Sequence, residues 1–176
     1  MSYSKSFILY TIGHSTRDID SFIELLLQNK IAVLVDVRRF PGSRKFPHFN
    51  KERLAQSLKD NEIEYLHCDA LGGRRRPKEN SNNLIWRNKS FQAYADYIET
   101  EDFKIAIAKL TSIAEHKTTV IMCSEAVWWR CHRALISDYL KVNGWTILHI
   151  MSKTNLQEHP YTSAAKIIDN KLTYSK

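Results

Sequence analysis

Glycine and proline are scarce in this chain, five and four among 176 residues, too few for collagen-like, low-complexity or linker sequence. No apolar run approaches the ~20 residues that a membrane span requires. Residues 1–10 carry one lysine and a short apolar stretch with no small-residue cleavage site behind it, so they read as a first strand and not as a secretion signal. Cysteine is limited to three residues, an odd number that argues against a disulfide framework and for a reducing, cytoplasmic setting. What is abundant is aromatic surface and positive charge. Four tryptophans, eight tyrosines and seven phenylalanines within a 43% apolar composition are enough for a real core. The 26 lysines and arginines exceed the 19 acids, for a net charge of +7.

The positive charge is concentrated. Residues 38–53 hold six Lys/Arg against Glu52, and residues 74–89 six against Glu79, a net +5 in each window. Together these windows exceed the charge of the whole chain, so the remainder is net negative. Localised charge of this kind meets phosphate or another anion; the alternative is a solvated loop face.

Apolar runs alternate with helical patterns. Residues 7–12 (FILYTI), 31–37 (IAVLVDV), 63–68 (IEYLHC), 118–122 (TTVIM) and 145–150 (WTILHI) read as strands, and near-continuous apolar runs of this length belong to strands buried on both faces of a parallel sheet. Between them, Ile19, Phe22, Ile23 and Leu26 form an apolar stripe behind a capping box of Ser15 and Asp18. Leu54 and Leu58 mark a helix capped by Asn50. Phe91, Tyr94, Ala95 and Ile98 share one helical face, and Phe103, Ile107, Leu110 and Ala114 the next. Leu135, Ile136, Tyr139 and Leu140 mark a last helix closed by Gly144 at C′. Residues 167–174 suggest a hairpin turning at Asn170. The loop over residues 71–88, basic and containing Trp86, is long enough to act as a lid or binding loop. The expected fold is α/β: a single-domain three-layer sandwich over residues 1–176 with a mostly parallel five-stranded sheet, Rossmann-like, in strand order 3-2-1-4-5. That order sets His14 beside Cys123 at the switch point, where ligands of open α/β sheets bind beyond the carboxyl ends of the strands.

Chemistry-bearing residues collect at those ends. The first strand delivers Gly13, His14 and Ser15. The second delivers Asp36, Arg38 and Arg39, followed by Ser43, Arg44 and Asn50. His67, Asp69 and the Gly72-Gly73-Arg74 turn follow the third; Cys123, Ser124, Glu125 and then Cys131, His132 and Arg133 follow the fourth. Cys131, at the start of a helix and amid Arg130, His132 and Arg133, is placed to be a low-pKa nucleophilic or redox thiolate, with Glu125 or His14 as acid or base. The alternative is a pair of small buried cysteines. A phosphatase-type thiolate loop is excluded, since six residues separate Cys123 from Arg130 where five are needed, and Val127, Trp128 and Trp129 among them are bulky. A metal site from Cys123, Glu125, Cys131, His132 and His14 is disfavoured because the two cysteines lie eight residues apart, unlike a zinc knuckle, and because neighbouring Cys131 and His132 would diverge on a helix. No metal or other cofactor is expected. Arginines of the 38–50 loop can grip phosphate bidentately while Phe40, Phe46 and Phe49 stack on bases or anchor the loop. Asp36 is suited to orienting an arginine or histidine. Backbone amides of Gly72 and Gly73 can face an anion. One of Trp128 and Trp129 is expected to pack and the other to line a pocket.

Taken in order, Thr11-Ile12-Gly13-His14-Ser15, Asp36-Val37-Arg38-Arg39-Phe40-Pro41, Ser43-Arg44, Phe49-Asn50, Leu71-Gly72-Gly73-Arg74 and Cys123-Ser124-Glu125…Cys131-His132-Arg133 resemble domain-of-unknown-function family 488. The resemblance runs from about Leu9 to Tyr174. It implies a single cytosolic α/β domain of bacterial or archaeal type and delivers no function. The chain departs from the family pattern where Val127 or Trp128 replaces a proline and in having Cys68, which therefore belongs to no site.

The expected function is an enzyme acting on a phosphate-bearing substrate, a nucleotide or nucleic acid. His14, Asp36, Cys123, Glu125 and Cys131 are the candidate catalytic groups. Ser15, Arg38, Ser43, Arg44, Asn50, Gly72, Gly73, Arg74, His132 and Arg133 are the candidate anion or substrate contacts. A non-catalytic nucleic-acid-binding module and a metal- or redox-sensing protein are the alternatives, and no membrane partner is expected.

Overall fold

Why the apolar runs become strands shows in how their side chains divide. A computed structural model describes residues 6–176; residues 1–5 of the opening stretch lie outside the described residues. In β1 (Ile8–Gly13), β2 (Val33–Asp36), β4 (Thr119–Cys123) and β5 (Thr146–Ile150) alternate residues enter two separate cores. Leu9, Val33, Val35, Ile121, Cys123 and Ile147 face one side, and Ile12, Leu34, Val120, Met122 and Ile150 the other. A strand apolar on both faces can only be satisfied between two layers of helices. Those layers are α1 (Ile19–Gln28) and α2 (Lys51–Lys59) on one face, and α3 (Lys89–Ile98), α4 (Glu101–Ala114) and α5 (Arg133–Val142) on the other. With β3 (Glu64–His67) the strands make a parallel five-stranded array, which β6 (Leu156–Glu158) extends antiparallel to β5. The result is the expected single α/β domain. Among the described residues no helix is long and apolar enough to cross a membrane.

The observed strand order is β3-β2-β4-β1-β5-β6, close to the expected 3-2-1-4-5 but with the first and fourth strands exchanged. β4, buried at all five positions, takes the middle of the parallel array. β1 begins at Ile8, which is 44% exposed, and suits a place one strand nearer the edge. The β1–β4 pairing survives the exchange, so Gly13 still sits opposite Cys123. The path from β2 runs over the α1/α2 face and that from β4 over the opposite face, and their divergence opens a crevice at the carboxyl edge.

Asp18 alone caps α1, accepting from Ser21 N at 2.8 Å; Ser15 stands outside the helix at φ 50° and forms no capping box. Asn50 occupies the cap position of α2 without a side-chain cap; its Oδ1 instead accepts from Ser43 N at 2.6 Å, tying the 38–50 loop together. Gly144, at φ 87°, closes α5 as expected, because this left-handed position strains any residue with a Cβ. The hairpin of β7 (Lys166–Ile168) and β8 (Lys171–Thr173) turns through Asp169 and Asn170 at φ 49° and 58°, a turn with the twist that antiparallel strands prefer. The 71–88 loop is pinned to α3: the Asp96 carboxylate accepts from Lys78 N, Ser81 Oγ and Asn83 Nδ2 at 2.9, 2.5 and 2.9 Å. Its Trp86 stacks on Phe91 at 4.9 Å.

Candidate functional site

The ends of β1, β2 and β4 are stitched by backbone hydrogen bonds before any side chain matters. His14 N donates to Cys123 O at 2.9 Å, Ser15 N to Ser124 O at 3.0 Å and Val37 N to Met122 O at 3.0 Å. Gly13 makes this closeness possible, since a Cβ there would lie 1.7 Å from the Glu125 carbonyl oxygen. Gly13→Ala is therefore expected to destabilise the fold by about 3 kcal/mol, at the upper end of overpacking costs, measured by urea unfolding; a change below 0.5 kcal/mol, about the effect of an ordinary surface substitution, would contradict this packing.

Above the stitched ends opens a cleft of about 840 Å³, within the range of small-molecule sites. Of the candidate residues, His14, Ser15, Arg38, Ser43, Gly73, Arg74, Cys123, Glu125, Cys131 and His132 line it. Asp36, Asn50, Gly72 and Arg133 stand outside the lining, and Arg44 points to solvent. The third strand diverges from the expectation: His67, Cys68 and Asp69 line a separate cleft of about 490 Å³ with Arg75 and Tyr97. Only the turn beyond them reaches the main site. Trp128 packs, and Trp129, 51% exposed, lies away from the cleft.

Asp36 is fully buried and saturated. Its Oδ1 accepts from Arg38 N at 3.1 Å and Nε at 2.8 Å, and its Oδ2 from Arg38 Nη2 at 2.6 Å and Tyr65 OH at 2.7 Å. This two-pronged grip orients the guanidinium, which also donates to Phe49 O at 2.8 Å. Burial, then the Asp36 charge, raises the Tyr65 phenol above its ordinary value and keeps it a donor. Arg38 Nη1 lies 3.4 Å from His14 Nε2. His14 Nδ1 donates to Ser15 O at 2.9 Å, so Nε2 is the bare nitrogen. The ring stacks on Phe49 at 4.2 Å. Burial, with the Arg38 charge, lowers the His14 pKa to about 4 despite the Ser15 hydrogen bond, so the imidazole is neutral at pH 7.

At the floor lie the two thiols, Cys123 Sγ 2.7 Å from Cys131 Sγ. Burial and the neighbouring Cys131 push the Cys123 thiol well up. Burial acts the same way on Cys131, but the Cys123 hydrogen bond, His132 and Arg133 outweigh it and hold that thiol well below the ordinary range. The opposite directions of the two shifts place the shared proton nearer Cys123. Cys131 and His132 do not diverge as a helix would require, because α5 begins only at Arg133 and Cys131 has extended backbone. His132 Nδ1 lies 3.5 Å from Cys131 Sγ. Arg133 is 1% exposed and, among the described residues, in no ion pair with a carboxylate: Nη2 donates to Glu125 O at 2.6 Å and Nη1 to Thr11 Oγ1 at 3.2 Å, while Nε has no partner among them. Burial alone would lower its pKa; the charge shared by the thiol pair raises it instead. A buried guanidinium needs an opposing charge, and the thiol pair is placed to supply one.

The upper wall is cationic. Arg39, Lys45, Arg74 and Arg130 line it, and among the described residues none of them is in an ion pair. Phe40, 63% exposed, lies under the guanidinium groups of both Arg39 and Arg74, at 6.0 and 5.7 Å. The start of α3 contributes Asn88, Ser90, Phe91 and Tyr94; of these the sequence places Phe91 and Tyr94 on the helix's core face and Asn88 in the loop before it. Nothing in a helical stripe says which end will meet a cleft. Among the described residues no group of three or more His, Cys, Asp and Glu side chains is placed to hold a metal ion.

The model of the domain of unknown function DUF488 matches residues 18–140, well over half of the chain. The chain belongs to this family. The DUF488 match takes in the 38–50 loop, the Gly72-Gly73 turn and the whole cysteine segment, and begins after the Gly13-His14-Ser15 end of β1. The family description names no activity. No curated protein and no solved structure matches the chain.

Proposed function

We propose that this DUF488 chain is a thiol-dependent enzyme acting on a phosphate-bearing substrate, a nucleotide or nucleic acid, at the carboxyl edge of the sheet. The observation that carries the reading is Arg133, a buried guanidinium with no carboxylate partner among the described residues, set against a thiol pair at the floor of a cleft walled by Arg39, Lys45, Arg74 and Arg130. Cys131 is the nucleophile, because its thiolate is favoured by the Cys123 hydrogen bond and by Arg133, whose backbone N donates to its Sγ at 3.5 Å, and thiolates, not thiols, attack. Cys123 is the adjacent proton store. Glu125, an exposed carboxylate in the cleft lining, serves proton transfer. Neutral His14 presents Nε2 as an acceptor. Asp36 acts behind the wall by orienting Arg38, and Arg39, Lys45, Arg74 and Arg130 hold the anion. Arg44, pointing to solvent, is left without a part in the first encounter.

Iodoacetamide should label Cys131 at pH 7 at least about tenfold faster than Cys68, as a lowered thiol pKa requires, and AMP or inorganic phosphate should protect it. Cys131→Ser should abolish turnover of whichever member of a panel of nucleotides and phosphate esters the wild type consumes. Equal labelling of the two cysteines, or full turnover by the serine variant, would sink the reading.

A second reading, a nucleic-acid-binding module without chemistry, draws on Phe40 exposed between Arg39 and Arg74, a base-stacking surface flanked by phosphate contacts. It requires steeply salt-dependent oligonucleotide binding that an Arg39→Ala/Arg74→Ala variant weakens and Cys131→Ser leaves intact. Arg75 is unsuited to this test because it holds the carbonyls of Asp69, Ala70 and Gly72.

A further inference from the structure

Behind the thiol pair, sealed from the cleft, runs a second set of polar side chains. Thr11 in β1, His149 in β5, Asp138 in α5 and His159 just after β6 are each at most 1% exposed. Polar groups buried this completely are tolerated only when hydrogen-bonded, and these bond to one another in a single file. Arg133 Nη1 lies 3.2 Å from Thr11 Oγ1, Thr11 Oγ1 2.6 Å from His149 Nδ1, His149 Nε2 2.9 Å from His159 Nδ1, and His159 Nε2 2.9 Å from Asp138 Oδ1. Trp128 closes the file from solvent, stacked on His149 at 4.7 Å with its edge to His159 at 4.9 Å.

We assign the direction of every bond from the two ends, with one proton on each histidine. A guanidinium only donates and a carboxylate only accepts. Asp138 therefore takes the Nε2 proton of His159, beside the donors Thr162 N, Thr162 Oγ1 and Tyr174 OH at 2.9, 2.6 and 2.8 Å. At the other end Thr11 Oγ1 receives from Arg133 and passes its own proton to His149 Nδ1. Burial keeps His149 uncharged, so its one proton sits on Nε2 and goes to His159 Nδ1. The file thus links a buried cation to a buried anion through aligned neutral dipoles.

We propose that Thr11, His149, His159 and Asp138 are positioning residues that hold Arg133 against the thiol pair and thereby set the reactivity of Cys131, an inference that rests on the reading of Cys131 as the reacting group. Without Thr11 the guanidinium keeps only the Glu125 carbonyl as an oxygen partner, and its aim at the sulfurs relaxes. The charged and titratable groups that face Cys131 are Cys123 from β4, Tyr94 from α3, and His132 and Arg133 at the start of α5, so Arg133 is the permanent cation among them.

The test is the pH profile of Cys131 alkylation by iodoacetamide, read by mass spectrometry in the wild type, Thr11→Val and Thr11→Ser. Valine keeps the shape and removes the hydroxyl; its profile should move up by about one pH unit, about tenfold slower labelling on the low-pH limb. Serine, which restores the hydroxyl, should stay within about twofold of wild type. A valine profile superimposed on wild type would overturn the proposal. Nitrogen-15 NMR of the wild-type histidines tests the file without any variant: His149 and His159 should each carry a proton on Nε2 alone at pH 7, and a proton on Nδ1 of either would overturn it. If instead Cys131→Ser retained turnover, the enzymatic reading would fall while these two measurements still judged the file.

Discussion

Asp36→Ala is expected to cost about 3–5 kcal/mol, the usual penalty for removing one partner of a buried ion pair. The carboxylate is fully buried and accepts four hydrogen bonds, three from Arg38 and one from Tyr65. Its loss leaves a guanidinium 7% exposed with only the Phe49 carbonyl and the His14 ring nearby. Because Arg38 ties β2 to Phe49, the 38–50 loop should loosen as well and carry Phe40 and Lys45 away from the cleft. For a chain of this size the loss corresponds to a fall in Tm on the order of 10 °C. Calorimetry of the variant checks it, and a loss under 1 kcal/mol, typical of an exposed pair, would mean the pair behaves as a surface one. The double variant Asp36→Leu/Arg38→Met should recover much of the stability, since the penalty lies in the unpaired charge, while leaving the cleft altered.

The protein should lose stability steadily as pH falls below about 6.5, before most of its carboxylates titrate. His14 is lowered from 6.5 to about 4 and His149 from 6.5 to about 2, both chiefly by burial. Between pH 6.5 and 4 the unfolded chain binds protons at both rings and the folded chain does not, so stability rises with pH there. The contribution of each histidine is complete above its unfolded pKa and is lost as pH falls toward the folded one. Two such groups give a slope of about 2.7 kcal/mol per pH unit below pH 6. Against a typical total of about 5–15 kcal/mol, the two rings together remove about 4 kcal/mol by pH 5 and about 6 kcal/mol by pH 4, with the uptake of two protons. Urea midpoints from pH 7.5 to 4.5 measure it; a flat profile between pH 7 and 5 would show that both rings reach solvent.

These two predictions rest on residues that differed in legibility. Asp36 was visible, because a carboxylate ending an apolar run must have a partner, and an orienting role was among its expected uses. His149 was not singled out, although a histidine inside residues 145–150 and a threonine inside residues 7–12 are the same kind of signal: a polar side chain where a buried strand leaves no water. Asp138, among the apolar residues of α5, is a third. Each was legible as a buried polar group, but its partner was not, since the file joins residues up to 138 positions apart that only the sheet brings together.

The chain itself determined the strands, the helical faces, the α/β class and the clustering of reactive groups at strand ends, because periodicity and turn chemistry act over a few residues and need no tertiary knowledge. Tertiary structure alone decided that β4 occupies the centre, that the third strand's His67 and Asp69 open onto a different cleft, and that Cys131 precedes its helix instead of starting it. It also decided that Arg133 meets two sulfurs and, among the described residues, no carboxylate. Those outcomes depend on which distant surfaces exclude water from one another, and a buried charge takes whatever counterpart the packing sets beside it.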